Sequence, residues 1–210
     1  MSAFRNTIRR GLASWLAAAA LGAAAQNAPS PVTTTMLPEP GGLQALAQSV
    51  EIAAPPPAVW EALSTSAGWR SWAAPFAEVD FRLGGTIETS YQAGARAGAP
   101  GNIRNQIVAY VPQRLLAIRN VQAPPNTPFD AAAFQTLHTA VLLDAIDGGR
   151  TRVTTVMSGV RSGEPWDGVL KHFRWGNAWT LEKLKERFEK GPVDWARLMA
   201  PRAASAAAPQ

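Results

Sequence analysis

Alternating apolar and polar side chains recur along most of this chain and predict a series of β-strands. Residues 49–52 show the period of two that is typical of a half-buried strand. The same alternation recurs over residues 79–83, 87–91, 103–109, 115–121, 137–145 and 152–160. Glycine-containing turns at residues 84–85 and 147–149 join neighbouring strands as hairpins. The pattern therefore predicts an antiparallel sheet.

Two segments instead have the helical period of three and four residues. A short helix is predicted from Pro57 to Gly68, after a run of prolines that no strand could continue through. A long helix is predicted from Trp166 to Lys190, and at the standard rise it spans roughly 35 Å. We expect the sheet to contact one face of the long helix, which carries Val169, Phe173, Asn177, Thr180, Leu184 and Phe188.

The two ends of the chain differ from its middle. Residues 1–25 have a basic start, an Ala-rich apolar stretch and small residues up to Ala25, which predicts a signal peptide. The apolar stretch is shorter than the ~20 residues of a membrane span. We therefore predict a periplasmic or secreted protein, exported by the general or the twin-arginine route, with retention of the leader as an anchor as the alternative. Residues 26–47 predict a Pro/Thr-rich linker, and residues 193–210 predict a flexible tail.

Four motifs follow one another in the first half of the chain. They are a strand with a Pro-rich step at residues 50–57, Val-Trp-x-x-Leu at 59–63, Trp-x-x-Pro at 72–75, and Asp-Phe-Arg-x-Gly-Gly at 80–85. With the long terminal helix, they resemble the START-like (SRPBCC) superfamily, and within it the family similar to the C-terminal domain of the Hsp90 ATPase activator. The resemblance covers residues 48–192. It implies an α+β helix-grip fold, in which a curved antiparallel β-sheet wraps around a long C-terminal α-helix with two short helices.

Composition and charge exclude several classes of function. The chain is 47% hydrophobic and 17% charged, which is a globular balance. Its formal charge of +5 falls to near neutrality without the three arginines of the leader, since 17 basic and 15 acidic residues remain, so we predict no nucleic-acid partner. The chain has no cysteine, and its two histidines lack metal-ligand spacing. We therefore predict no metal site and no cofactor.

The resemblance implies an internal cavity, and strand parity indicates which side chains face it. We predict that the cavity binds a hydrophobic or amphipathic small molecule, such as a lipid-like, isoprenoid or aromatic compound, and that the protein is a carrier or a sensor. Asn105 and Asn177 would orient the ligand, because a buried amide without a partner costs ~1–3 kcal/mol. A mutual hydrogen bond between them, or a plain filled core, is the alternative. The predicted ligand-binding residues are Trp72, Phe76, Tyr91, Asn105, Ile107, Ile118, Thr139, Met157, Phe173 and Asn177.

Other functions remain open at this point. START-like folds include cofactor-independent cyclases and dehydratases, and in such an enzyme Tyr91 would act as the acid and His138 as the base. Strand parity places His138 on the outer face of the sheet, which argues against this role. Trp175 and Trp179 form an aromatic stripe on the helix flank away from Phe173, which predicts contact with the tail or a homodimer. The family name also suggests a chaperone-related or protein-interaction module.

Overall fold

A computed structural model describes residues 30–125 and 127–199 of the chain. Its strands form an antiparallel sheet in the spatial order β1-β2-β8-β7-β6-β5-β4-β3. The strands are β1 (Thr33–Pro38), β2 (Gln44–Ile52), β3 (Phe76–Val79), β4 (Thr86–Ser90), β5 (Ile103–Val111), β6 (Leu115–Gln122), β7 (His138–Ile146) and β8 (Arg150–Val160). The helices are α1 (Pro56–Ser64), α2 (Ser66–Arg70), α3 (Ala131–Gln135), α4 (Trp166–Lys190) and α5 (Trp195–Met199). The predicted α+β helix-grip fold is confirmed.

The first strand lies in the segment for which the sequence predicted a linker. β1 pairs with β2 along its whole length, and a 3-10 turn at Pro40–Gly42 joins the two strands. Met36 packs against the core, and the Thr34 hydroxyl accepts a hydrogen bond from Gln48 Nε2 at 3.0 Å. The linker prediction is therefore wrong for residues 33–47. Prolines are tolerated there because β1 is an edge strand and pairs on one side only.

The short helix predicted between the first two strands is divided in the structure. Thr65 has extended backbone angles between α1 and α2, and its hydroxyl accepts a hydrogen bond from Gly68 N at 2.9 Å. Thr65 thereby caps α2 while it ends α1. Trp72, just after α2, is 4% exposed, and its indole N–H donates to Ala62 O at 2.9 Å. The motif Trp-x-x-Pro therefore fixes the helix pair to the core.

The strand predicted over residues 79–83 is wrong, because β3 ends at Val79. Arg82 N donates to Asp80 O at 2.9 Å, which folds the following residues into a turn. Gly84 has a φ of 78°, in the region that favours glycine, and completes this turn. Val79 and Phe81 pack against the core while half-buried, but Leu83 is 66% exposed, so the alternation of apolar residues here does not indicate a paired strand.

Helix α4 contacts the concave face of the sheet through two separate core clusters. Near its start, Val169 packs in a cluster that includes Met157 of β8. Near its end, Leu181 and Leu184 pack in the larger cluster, which includes residues of β2, β5, β6, β7 and β8. Between these clusters, no residue from 171 to 180 is buried. The middle of α4 therefore lies over a hollow.

The chain beyond α4 folds back onto α2. Val193 N donates to Ser71 O at 2.9 Å, and the indole N–H of Trp195 donates to Arg70 O at 2.6 Å. The prediction of a flexible tail is therefore wrong for residues 193–199. The rest of that tail and the predicted signal peptide lie outside the described residues.

Candidate functional site

A cavity of about 530 Å³ lies between the concave face of the sheet and the middle of α4, and we call it the central cavity. Strands β4 to β7 contribute inward-facing side chains to one wall, and α4 forms the opposite wall. The loop after β6 and the helix α3 contribute a third side. Among the described residues that line it, most are apolar or aromatic, and none is Lys, Arg, Asp or Glu. The cavity is partly open to solvent.

Six of the ten ligand-binding residues predicted from the sequence line the central cavity. Strand parity selects those on β5, β6 and β7 correctly, in spite of register shifts between β5 and β6, and the helical period of three and four selects the two on α4. Their role in binding stays a prediction. These residues are Tyr91, Asn105, Ile118, Thr139, Phe173 and Asn177.

The other four predicted residues lie outside the cavity lining. Ile107 and Met157 point inward, but they are 0% and 1% exposed and belong to the core clusters at either end of the hollow. Trp72 is also part of the core, where its indole N–H donates a hydrogen bond to Ala62 O of α1. Phe76 pairs with Ser90, and strand parity places the side chain of Ser90 on the outer face of the sheet. Directly paired residues share a face, so Phe76 also points away from the cavity. Parity alone could not separate packed inward positions from cavity-lining ones.

An aromatic wall closes the side of the central cavity next to the loop after β6. The list of predicted site residues contained only one of its members, Phe173. Phe134 of α3 stacks on Phe173 of α4 with ring centroids 4.3 Å apart, and Phe129 of the loop lies 5.1 Å from Phe173. His172 packs on Phe129 at 4.7 Å. The signal in the sequence was the pair of phenylalanines in the proline-rich segment 123–134, because aromatic rings in such a loop usually pack on an apolar surface. The missing step was that α4 supplies the surface on which they pack.

Two tryptophans of α4 extend the cavity lining on the other side. Trp175 is 67% exposed and stacks on Trp179 at 6.4 Å, and Trp179 meets the edge of Tyr91 at 6.3 Å. The Tyr91 ring in turn contacts Trp195 of α5 at 6.1 Å. The sequence placed this pair on a flank away from Phe173, and it did not predict that Tyr91, which follows β4, packs against Trp179 there. The predicted homodimer through these residues stays a prediction.

Two hydrogen-bonded amides, the half-buried Asn105 and the buried Asn120, form the polar part of the cavity. Asn120, which is 4% exposed, donates through Nδ2 to Asn105 Oδ1 at 3.2 Å. The same Nδ2 donates to the backbone oxygens of Arg104 and Gln122 at 3.2 and 3.0 Å. The sequence alternative was a hydrogen bond between Asn105 and Asn177. In the structure, Asn105 bonds to Asn120 instead. Within the described residues, Asn120 Oδ1 is buried without a partner.

A second polar network holds the strand ends that carry these amides. The carboxylate of Glu88, a residue 7% exposed, accepts from Asn102 Nδ2 at 2.7 Å and from Gly98 N at 2.8 Å. Gln122 Nε2 donates to the backbone oxygens of Ala99 and Asn102, both at 3.0 Å. The loop between β4 and β5 is thus tied to β6. This network fixes the position of the cavity's polar wall.

The family comparison identifies the domain. The family described as "Activator of Hsp90 ATPase homolog 1-like protein" matches residues 53–189. The chain belongs to this family. No curated protein matches its sequence.

Solved structures of low sequence identity share the fold of this Hsp90-activator-like domain. The Aha1 dimer from Colwellia psychrerythraea is 18% identical, with a TM-score of 0.54 over 70% of this chain and 97% of that chain. Ms6760 from Mycobacterium smegmatis is 20% identical, with a TM-score of 0.53 over 74% of this chain and 96% of that chain. CalU16 from Micromonospora echinospora is 19% identical, with a TM-score of 0.52 over 80% of each chain.

The two catalytic candidates of this Hsp90-activator-like domain are not brought together. His138 is exposed on the outer face of β7, next to the cavity-lining Thr139. The Tyr91 hydroxyl donates to Ala73 O at 2.7 Å, so its proton is already engaged. Although 41% of Tyr91 is exposed, burial around the hydroxyl raises its pKa to about 12. The acid–base pair considered from the sequence therefore has no geometric support.

The cavity's own histidine has a different electrostatic setting. Burial of His172 lowers the pKa of its imidazole from the usual 6.5, because the charged form loses solvation. The neutral ring is thus favoured beside Phe129.

No helix in the described part of the chain is long and apolar enough to cross a membrane. Among the same residues, no group of three or more His, Cys, Asp or Glu side chains is placed to hold a metal ion.

Proposed function

We propose that this domain binds a hydrophobic or amphipathic small molecule in the central cavity and acts as a carrier or a sensor. The observation that carries the proposal is a hollow of about 530 Å³ with an aromatic and apolar lining and a few amides and hydroxyls. Small-molecule sites have this composition, and their volumes are typically ~300–1,000 Å³. Membership in the family supports a ligand-binding or related role.

The position of the hollow supports a binding role over imperfect packing. Protein cores are packed to a density of about 0.74, with few voids larger than a water molecule. Here the two core clusters contain many residues that are less than 2% exposed, such as Leu46, Val59 and Leu184. The hollow lies between these well-packed regions, under a continuous helix. Folding alone does not require it.

A cavity-filling substitution tests the proposal. A Cβ atom added at Gly176 meets only His172 Nε2, at 4.0 Å, so Gly176→Phe extends into the hollow without a backbone clash. We expect binding of the neutral dye N-phenyl-1-naphthylamine, measured by its fluorescence, to weaken at least about tenfold. Gly168→Phe is the matched control, because Gly168 lies on the same helix outside the cavity lining and a Cβ there meets only Glu164 Oε2, at 3.5 Å.

The outcomes of this experiment separate folding from binding. Both variants should melt near the wild-type temperature, since the helix propensity of phenylalanine exceeds that of glycine by only roughly 0.5 kcal/mol. Loss of dye binding in Gly176→Phe alone supports the proposal. Equal dye binding by all three proteins, or none by the wild type, contradicts it. Native mass spectrometry of protein from its own cell envelope then identifies a copurifying ligand.

We also propose that the protein works outside the cytoplasm. The basic and apolar character of residues 1–25 supports export. The test is to fuse residues 1–30 to a reporter enzyme that folds only after export, with a control in which Arg9 and Arg10 are replaced by Gln. Reporter activity that depends on the leader supports the proposal, and a fully cytoplasmic protein contradicts it. Such a result would also revive the chaperone-related role that the family description suggests.

A further inference from the structure

We propose that the central cavity selects an uncharged aromatic ligand with a hydrogen-bond acceptor, and that Asn105 Nδ2 donates to this acceptor. The inference rests on the proposed function and narrows its ligand class. It excludes carboxylates such as fatty acids, which a merely hydrophobic cavity would accept. Three features of the cavity carry it: the absence of charge, the orientation of the amides and the aromatic wall.

The absence of charge concerns the described lining residues. None of them is Lys, Arg, Asp or Glu, so an anionic ligand would lose its hydration without gaining an ionic partner, which is costly. Lys183 Nζ lies 5.7 Å from the ring centroid of Trp179, but it is already paired with Glu186 at 2.7 Å. His172 offers no compensating cation, because burial lowers its pKa. The cavity therefore favours a ligand that is neutral.

The orientation of Asn105 follows from its neighbour. Asn120 Nδ2 points at the backbone oxygens of Arg104 and Gln122, which only an amide nitrogen can satisfy. The atom of Asn105 that Asn120 Nδ2 contacts must then be its oxygen. Asn105 Nδ2 is left without an acceptor among the described residues, on a side chain that lines the cavity. A ligand acceptor, such as a carbonyl oxygen, is the group that this donor fits.

The aromatic wall sets the shape of the remainder of the ligand. Phe129, Phe134 and Phe173 form one continuous cluster, with centroid distances of 4.3 to 5.4 Å. Tyr91 and Trp179 supply further rings to the lining. Aromatic rings prefer offset or edge contacts with other rings, beyond the gain from apolar burial. A planar aromatic ligand can use this preference, and a flexible alkyl chain cannot.

The charge test compares two dyes on the full chain. N-phenyl-1-naphthylamine and 8-anilinonaphthalene-1-sulfonate share their ring system and differ by one sulfonate. We expect the neutral dye to bind at least about tenfold more tightly at pH 7.5. Equal or tighter binding of the sulfonate overturns the inference while the proposed function stands. Failure of both dyes to bind contradicts the proposed function itself.

The hydrogen-bond test uses 2-acetylnaphthalene and 2-ethylnaphthalene as competitors of the neutral dye. Asn105→Leu should weaken binding of the ketone about three- to tenfold and leave that of the hydrocarbon unchanged or tighter. The variant should fold, because Asn120 Nδ2 keeps two other acceptors. Gln106→Leu, an amide-to-leucine change at the adjacent position of β5 outside the cavity lining, should alter neither affinity.

A result in which Asn105→Leu weakens both naphthalenes equally shows a packing role and overturns the inference. A melting temperature measured for each variant excludes unfolding as the cause. Asn105→Asp gives a second, independent readout, because it keeps the shape of the side chain and replaces the donor with a carboxylate. We expect it to weaken the ketone more than the hydrocarbon, and unchanged ketone affinity contradicts the assigned donor.

Discussion

His172 couples the central cavity to pH. Its ring packs 4.7 Å from that of Phe129, and burial lowers the imidazole pKa from 6.5. The unfolded chain therefore binds the proton more readily than the folded protein. The stabilising effect of the neutral ring is complete above about pH 6.5 and is lost progressively as the pH falls below that value. Acidification should also weaken binding of a neutral ligand that contacts this ring.

The prediction is tested by melting temperatures between pH 7.5 and 5.5. Wild type and His138→Gln, a control on the outer face, should lose stability on acidification, and His172→Gln should lose less. Glu51 and Glu186 do not obscure this window, because hydrogen bonds from Arg152 and Lys183, respectively, lower their carboxyl pKa values below 4.5. Identical pH profiles for the three proteins would show that His172 does not contribute.

Tyr91 tests the difference between a structural and a catalytic hydroxyl. Tyr91→Phe removes the hydrogen bond to Ala73 O, a carbonyl on a residue that is 4% exposed. We expect a loss of about 0.5–1.5 kcal/mol in the free energy of unfolding, and N-phenyl-1-naphthylamine affinity within about twofold of wild type, because the ring remains. Chemical denaturation and dye titration measure the two effects. Unchanged stability would leave the hydroxyl free for another role.

At the level of elements, the regular strands and the long helix could be predicted, and the edges of the sheet could not. β4 to β8 have clear alternation, and Trp166–Lys190 matches the predicted helix residue for residue. β1 was missed because Pro31, Pro38 and Pro40 surround a threonine run, and prolines usually indicate a linker. Half-buried and exposed positions alternate from Thr33 to Leu37. This alternation results from the pairing with β2, so the sequence of the segment alone did not reveal it.

The strand β1 makes a testable contribution to stability. A chain that starts at Gly42 lacks β1 and loses the contacts of Met36 and Thr34 with the core and Gln48. We expect its melting temperature to fall by at least about 4 °C relative to a chain that starts at Ser30 and keeps the strand. Thermal unfolding of both gives the comparison. Equal melting temperatures would mean that residues 33–41 act only as the linker first predicted.

The cavity illustrates what periodicity cannot resolve within an element. The predicted face of α4 contains Val169 and Leu184, which are buried, and Asn177 and Thr180, which line the cavity. The polar character of the last two was the signal of a change along the helix. The side chains from β4 to β7 and the loop after β6 decide whether Asn177 and Thr180 face a packed polar core or a cavity. Long-range contacts of this kind have no local signature.

On the scale of the whole molecule, the family match leaves out both ends of the described fold. It covers residues 53–189, so β1, all of β2 and α5 lie beyond it. The end with α5 reaches the cavity through Trp195, whose ring lies 6.1 Å from that of the cavity-lining Tyr91. No residue of α5 is buried among its described side chains, so this helix adds little to the core. Its contacts instead place an indole behind the cavity wall.

The exit rate of a bound ligand should therefore depend on Trp195. Trp195→Ala removes the hydrogen bond to Arg70 O and the ring contact with Tyr91. We expect the dissociation rate of N-phenyl-1-naphthylamine, measured by stopped-flow dilution, to rise about two- to tenfold, with a melting temperature close to that of wild type. Leu198→Ala, in the same helix and 48% exposed, is the control and should leave the rate unchanged. A rate unaffected by Trp195→Ala would restrict the C-terminal segment to a passive surface role, and a large loss of stability would mean that it belongs to the folding core.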